Sequence, residues 1–199
     1  MMIIKGPVHL EAQACITALR PVWVLSHPHP VYGGSMTHKV IDQLYRRAVQ
    51  RGISVIRYNF RGVGKSGGSY DDAVGEVDDL RLVIDYLEES YAITAEQLHL
   101  IGYSFGSYIS AMVASSMQSL HRLSLIAPPT SMFSFPGLQK NFPLDVYMPE
   151  KDEYTEPADV QTYLAQINVP IRYIEIKDAD HFFIGTTKKF IDQFLANNT

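Results

Sequence analysis

Residues 98–106 read Leu-His-Leu-Ile-Gly-Tyr-Ser-Phe-Gly, and no other stretch restricts the fold of this chain so tightly. An apolar run of strand type ends in Gly102-x-Ser104-x-Gly106, and the Ala- and Met-containing run up to Met117 reads as a helix. Strand, sharp turn and helix must then follow one another with almost no connecting loop. Such a turn brings strand and helix too close for side chains, so a small residue is needed two positions to either side of the serine. The serine backbone is strained, and its hydroxyl is left exposed at the edge of the sheet. The competing reading is a glycine-rich packing turn with no chemistry at the serine.

The rest of the chain supplies the partners that such a strand needs. Residues 8–16 alternate Val8, Leu10, Ala12, Ala14 and Ile16 with mostly polar residues, which suits a half-buried antiparallel strand near a sheet edge. Residues 22–25, Val-Trp-Val-Leu, are continuously apolar and fit a central parallel strand covered on both faces. Thr37 is placed to cap a helix with Val40, Ile41, Leu44, Tyr45, Ala48 and Val49 on one stripe and Gly52 just past its end. A strand over 53–60 follows.

A helix over about 73–90 is expected to turn Val74, Val77, Ile84 and Leu87 inward, with acidic first turns suited to the helix dipole. After the Leu98 strand and its helix come strands at 123–127, 144–148 and 171–176. Between the last two lies a helix with Pro157 near its first position and Val160, Tyr163, Leu164 and Ile167 on one face. A final helix is striped by Phe190, Ile191, Phe194 and Leu195. Alternating strand and helix predicts an α/β fold: a mostly parallel sheet, helices on both faces and right-handed crossovers. With 199 residues, 46% of them hydrophobic, the chain is expected to form one domain.

Composition narrows the partners. A formal net charge of −4, from 17 basic and 21 acidic residues, gives no basic field for nucleic acid or an anionic membrane. No run approaches membrane-spanning length, and the first residues lack signal-peptide character, so a cytoplasmic protein is expected. Oligomeric state is left open. The single cysteine, Cys15, lies in the alternating segment and reads as a structural thiol.

In a parallel sheet the strand C-terminal ends carry the chemistry. Three loops reach that edge: His27-Pro-His29-Pro-Val-Tyr32-Gly-Gly34, the loop holding Glu150, Asp152 and Glu153, and Asp178-Ala-Asp180-His181-Phe-Phe183. A serine at neutral pH is a poor nucleophile and needs an imidazole oriented by a buried carboxylate. Both lie downstream of Ser104, in the chain order of nucleophile-elbow enzymes. The acid is open among Glu150, Asp152, Glu153 and Asp178.

On these loops, together with Tyr58-Asn-Phe-Arg-Gly-Val-Gly-Lys-Ser-Gly67 and Gly102-Tyr-Ser-Phe-Gly106, the chain resembles the α/β-hydrolases, in particular small lidless bacterial members related to dienelactone hydrolases and carboxylesterases. The resemblance spans nearly the whole chain. It implies the α/β-hydrolase fold, ester-cleaving chemistry without a cofactor, Ser104 as nucleophile, Asp152 as acid and His181 as general base. Pro149 stands where such relatives usually carry glycine.

Other features of the chain offer competing readings. His27 and His29 have no third ligand cluster to make a metal site, so no metal is expected. Gly62-Val-Gly64-Lys65-Ser66-Gly67 mimics a nucleotide-binding loop, yet Asn59 stands where a phosphate loop needs glycine and no helix opens directly after it. An oxyanion hole needs two backbone N–H groups. Phe105, next after the serine, supplies one; Pro28 and Pro30 have none, which leaves His29 ahead of Val31 and Tyr32 for the other. Tyr32 and Tyr103 are the expected substrate-binding walls. Only residues 128–143 separate two strands where larger relatives insert a cap. The apolar Met132, Phe133, Phe135, Leu138 and Phe142 there fit either a short flap or a loop packed on the core. The expected function is hydrolysis of a small-molecule ester with a small or medium acyl group. A non-catalytic binding protein of the same fold and an acyltransferase are the alternatives.

Overall fold

The computed structural model describes every residue except Leu19, 139–141 and Thr199. Its sheet has eight strands in the order β1-β2-β4-β3-β5-β6-β7-β8. They are β1 (Met2–Ile4), β2 (Leu10–Cys15), β3 (Val22–Ser26), β4 (Val55–Tyr58), β5 (Leu98–Tyr103), β6 (Arg122–Ile126), β7 (Leu144–Pro149) and β8 (Ile171–Ile176). β1 and β2 pair antiparallel with each other, and β2 pairs antiparallel with β4. From β4 to β8 every pairing is parallel, so the C-terminal ends of β3, β5, β7 and β8 reach one edge.

Among the described residues, five α-helices cover the two faces: α1 (Lys39–Gln50), α2 (Val74–Tyr91), α3 (Phe105–Ser116), α4 (Pro157–Leu164) and α5 (Thr187–Asn198). The side-chain alternation of β3 explains its unbroken apolar run. Val22 and Val24 enter one core with Leu80 and Val83 of α2, Ile109 of α3 and Val160 of α4. Trp23 and Leu25 enter a second core with Ile41 and Leu44 of α1 and Phe194 of α5. Trp23 meets the rings of His99 and Phe194 edge-on, at centroid distances of 5.7 and 5.4 Å. Full burial of each such aliphatic side chain stabilises the fold by about 1.5–3 kcal/mol, and a polar substitution on either face would lose that.

Several sequence expectations are corrected. β1 was not anticipated, because three residues are too few to show an alternation. α1 starts one turn position late: His38 is its cap, while the Thr37 hydroxyl is bonded to Ser35 Oγ at 3.0 Å. On α2, Val74 points outward at 70% exposure, and Glu76, Asp79, Leu80, Val83 and Leu87 are buried. Asp79 turns inward because Arg61 is there to receive it, accepting from the Arg61 N–H, Nε and Nη2 at 2.8, 3.1 and 2.8 Å, whereas Glu76 accepts the Asp71 N–H at 3.0 Å. In the 128–143 segment Leu138 and Phe142 are buried core, which removes them from any flap.

Candidate active site

The turn between β5 and α3 has the backbone its glycines foretold. Ser104 has φ 52° and ψ −119°, a region that costs a non-glycine residue on the order of 1–3 kcal/mol. Its N–H is tied to the Ile126 carbonyl at 2.8 Å, and its carbonyl accepts from the N–H and Oγ of Ser107 at 2.8 and 2.6 Å. A Cβ at Gly102 would collide with the backbone of Gly106, and one at Gly106 with the Ser26 carbonyl at the end of β3. The turn is therefore held by packing that only glycine permits.

His181, after β8, places Nε2 2.9 Å from Ser104 Oγ and Nδ1 2.8 Å from Asp152 Oδ2. Asp152, after β7, accepts on its other oxygen from the N–H groups of Tyr154 and Thr155 at 2.9 and 3.1 Å. The other acids are occupied elsewhere. Glu150 takes Lys177 Nζ and the Asp178 N–H, Asp178 takes Lys151 Nζ, and Glu153 accepts the His181 backbone N–H at 3.1 Å. Asp152 alone among them reaches the imidazole, and both side chains are buried.

The His27–Gly34 loop follows β3. The N–H of Val31 goes to His29 Nδ1 at 3.3 Å and that of Tyr32 to the His29 carbonyl at 3.2 Å, so neither is free. The N–H groups of His29 and Phe105 have no partner among the described residues. His27 belongs to the framework: it is fully buried, its Nδ1 faces the Pro28 carbonyl at 2.6 Å and its Nε2 accepts the Phe60 N–H at 3.0 Å. Desolvation drives its pKa down to about 3, so the ring is neutral and Nδ1 carries the proton. Both nitrogens being engaged, it has no lone pair for a metal. Among the described residues, no group of three or more His, Cys, Asp or Glu could hold one.

A pocket of about 120 Å³ opens over Ser104. Its walls include Phe105, Met132, Phe133, Tyr154 and Phe182, and Tyr32 stands at the mouth, 81% exposed. Tyr103 also lines it, but as a buried floor whose hydroxyl donates to the His181 carbonyl at 2.8 Å. Burial raises that phenol's pKa, so it stays a donor. Tyr103 thus holds the histidine, a use its place inside the elbow motif did not announce. Sequence reasoning also missed His38, Tyr154 and Phe182 on the pocket wall. Tyr154 and Phe182 could have been found by their positions next to Asp152 and His181; His38 has no local signal.

Residues 29–147 match the family model described as the alpha/beta hydrolase fold. An alpha-beta serine hydrolase homologue from Coxiella burnetii superposes with a TM-score of 0.85 at 31% identity, over 100% of this chain and 96% of that one. An α/β serine hydrolase without a lid from Xanthomonas campestris gives 0.79 at 29% identity, over 96% and 89%. An uncharacterised protein of Rickettsia prowazekii is 32% identical over 85% of this chain and 75% of its own length. The chain belongs to the α/β-hydrolase family, in a form without a large cap. Among the described residues no helix is long and apolar enough to cross a membrane.

Proposed function

We propose that this protein is a serine hydrolase that cleaves carboxylic esters with small or medium acyl groups, using no cofactor. The observation that carries the reading is the hydrogen-bonded chain from Ser104 Oγ through His181 to Asp152, at 2.9 and 2.8 Å. Ser104 Oγ attacks the carbonyl carbon while His181 Nε2 takes its proton. Asp152 keeps the ring in the tautomer with hydrogen on Nδ1 and stabilises the imidazolium that forms. The N–H groups of Phe105 and His29 receive the charge developing on the carbonyl oxygen. Collapse breaks the ester C–O bond, His181 returns the proton to the departing alcohol, and water, deprotonated by the same imidazole, releases the acid from Ser104.

The pocket limits the acyl group. It is small beside the roughly 300–1,000 Å³ typical of drug-sized sites, and each methylene adds only about 0.8 kcal/mol while it stays buried. On p-nitrophenyl esters kcat/KM is expected to rise from acetate to butyrate or hexanoate and then level or fall. The direct test is intact-mass analysis after treatment with a fluorophosphonate. One adduct is expected on the wild type and none on Ser104→Ala; an unlabelled, folded wild type would instead indicate a binding protein that keeps the fold.

A further inference from the structure

One imidazole facing the pocket has no task in the chemistry above. His38 caps α1 and lines the same cavity as Ser104 and His181. Its backbone is fixed on both sides, N–H to the Ser35 carbonyl at 2.9 Å and carbonyl to the Asp42 N–H at 2.8 Å. Its ring is engaged by nothing polar: the side chain makes no cap hydrogen bond, and Nδ1 is buried without a partner among the described residues. The Tyr103 ring packs on both imidazoles, with centroids 5.3 Å from His38 and 5.9 Å from His181.

The protonation of this ring follows from its surroundings. A charged His38 would bury an unpaired N–H on a cation close to His181, which is costly. Burial first, and the neighbouring His181 second, lower its pKa. Of the two neutral forms, the one with hydrogen on Nδ1 buries an orphaned donor, a rarer arrangement than an under-satisfied acceptor. The proton therefore sits on Nε2, and the ring offers an N–H that no protein group receives.

We propose that His38 is a specificity-determining residue whose Nε2–H donates to an oxygen on the alcohol part of the ester, so that esters of short 2-alkoxy or 2-hydroxy alcohols are preferred over plain alkyl esters. The proposal rests on the hydrolase reading above. The alcohol side is assigned because His181 returns its proton to the leaving oxygen, and His38 shares the Tyr103 ring with His181. The carbonyl oxygen is directed to the N–H groups of His29 and Phe105. Pro28, Phe105, Met132 and Phe133 make much of the remaining wall apolar, and Tyr32 and Tyr154, which also line it, are exposed to solvent, so His38 is the more enclosed donor and selects substrates that bring an acceptor to it.

The test compares 2-methoxyethyl acetate with butyl acetate, which differ by an oxygen in place of a methylene. Acid release gives kcat/KM for each, divided by that ester's rate of hydroxide-catalysed hydrolysis. The wild type should favour the methoxyethyl ester about 3- to 10-fold, the worth of one hydrogen bond. His38→Phe should bring the ratio to about one, and His38→Gln, whose amide can donate, should keep part of the preference. The ratio is read within each variant, so partial loss of folded enzyme does not affect it. A wild type without the preference overturns the proposal with no variant needed, as does a preference that survives in His38→Phe. Activity on p-nitrophenyl acetate with neither alkyl ester turned over also overturns it. Failure of the hydrolase reading is distinguishable, since Ser104 would then take up no phosphonate.

Discussion

Two glycine-rich turns leave the sheet at the same edge, and they do opposite things. The turn after β5 leaves a strained serine facing a pocket and the Phe105 N–H unclaimed. The turn after β4, residues 62–67, closes on itself. Its Gly62 N–H bonds the Gly67 carbonyl at 2.9 Å, and the Gly67 N–H bonds the His9 carbonyl at 2.9 Å. The Lys65 N–H, which a nucleotide loop would aim at phosphate, goes to Glu11 Oε2 at 2.9 Å, and that oxygen also receives Asn59 Nδ2 at 2.9 Å. Ser66 Oγ is spent between the Asn59 carbonyl and the Glu11 N–H. Glycine pattern alone did not separate the two turns. What separates them is whether the fold already satisfies the donors that the turn presents.

The largest effect should come from the open turn. Ser104→Ala or His181→Ala should lower kcat on p-nitrophenyl esters on the order of 10⁴- to 10⁶-fold. The melting temperature of Ser104→Ala should stay within a few degrees of wild type, because it removes one hydroxyl at the pocket, whereas His181→Ala also leaves the buried Asp152 without its partner and should melt lower. A His181→Ala enzyme with near-normal turnover would take the base out of the mechanism and return this turn to the same standing as the other.

The next effect tests the free donor. His29 has φ −54°, a value proline accepts, so His29→Pro deletes the N–H with little steric penalty to its own backbone. Turnover should fall about 10²- to 10³-fold, the usual consequence of losing one oxyanion donor. His29→Ala keeps the N–H and should retain most activity. Equal losses in the two variants would point to the ring, which packs on Phe105 at 4.7 Å, in place of the backbone.

The closed turn should answer in stability. Glu11→Gln weakens a buried acceptor that holds Lys65 and Asn59, an effect of about 1–3 kcal/mol. For a chain of this length that is roughly 2–12 °C in melting temperature. Turnover per phosphonate-titratable site should stay near wild type. A selective loss of kcat, with stability unchanged, would mean that this turn also serves the chemistry.

How much of this was readable follows from the range of the forces involved. The Gly102–Gly106 turn and the β3 run are dictated locally, by backbone approach and by a strand covered on both faces, and both were legible. The inward acids of α2 were not. Asp79 is buried because Arg61, on another loop, is there to pair with it, and no helical periodicity encodes that. From the residues alone the candidate acid was legible only as a set of four, and the resemblance singled out Asp152. Glu150, Glu153 and Asp178 meet other donors, and of the four Asp152 is the one that is buried and reaches the His181 ring, which no local pattern announces. His38 was unreadable for a like reason, since its ring faces the pocket through the packing of α1 against the sheet. Tyr103 reads from the sequence as a pocket wall and does line the pocket, but its hydroxyl contact was not legible: alternation along β5 aims the ring at the second core, where the hydroxyl finds the His181 backbone.

That contact gives the smallest and most discriminating prediction. Tyr103→Phe keeps the ring on which His38 and His181 pack and removes only the bond to the His181 carbonyl. A neutral hydrogen bond of this kind is worth about 0.5–1.5 kcal/mol, so kcat should fall roughly 2- to 10-fold if that energy holds the imidazole in line. KM should change little, because the pocket wall is still an aromatic face. The rate of phosphonate labelling at Ser104 should fall by the same factor, since it depends on the same base. Tyr32→Ala, at the exposed mouth, should do the reverse and act on KM. If Tyr103→Phe raised KM and left kcat and labelling untouched, the Tyr103 hydroxyl would serve the substrate and not the histidine. The difference between the two turns would then rest on Ser104 and the free N–H groups alone.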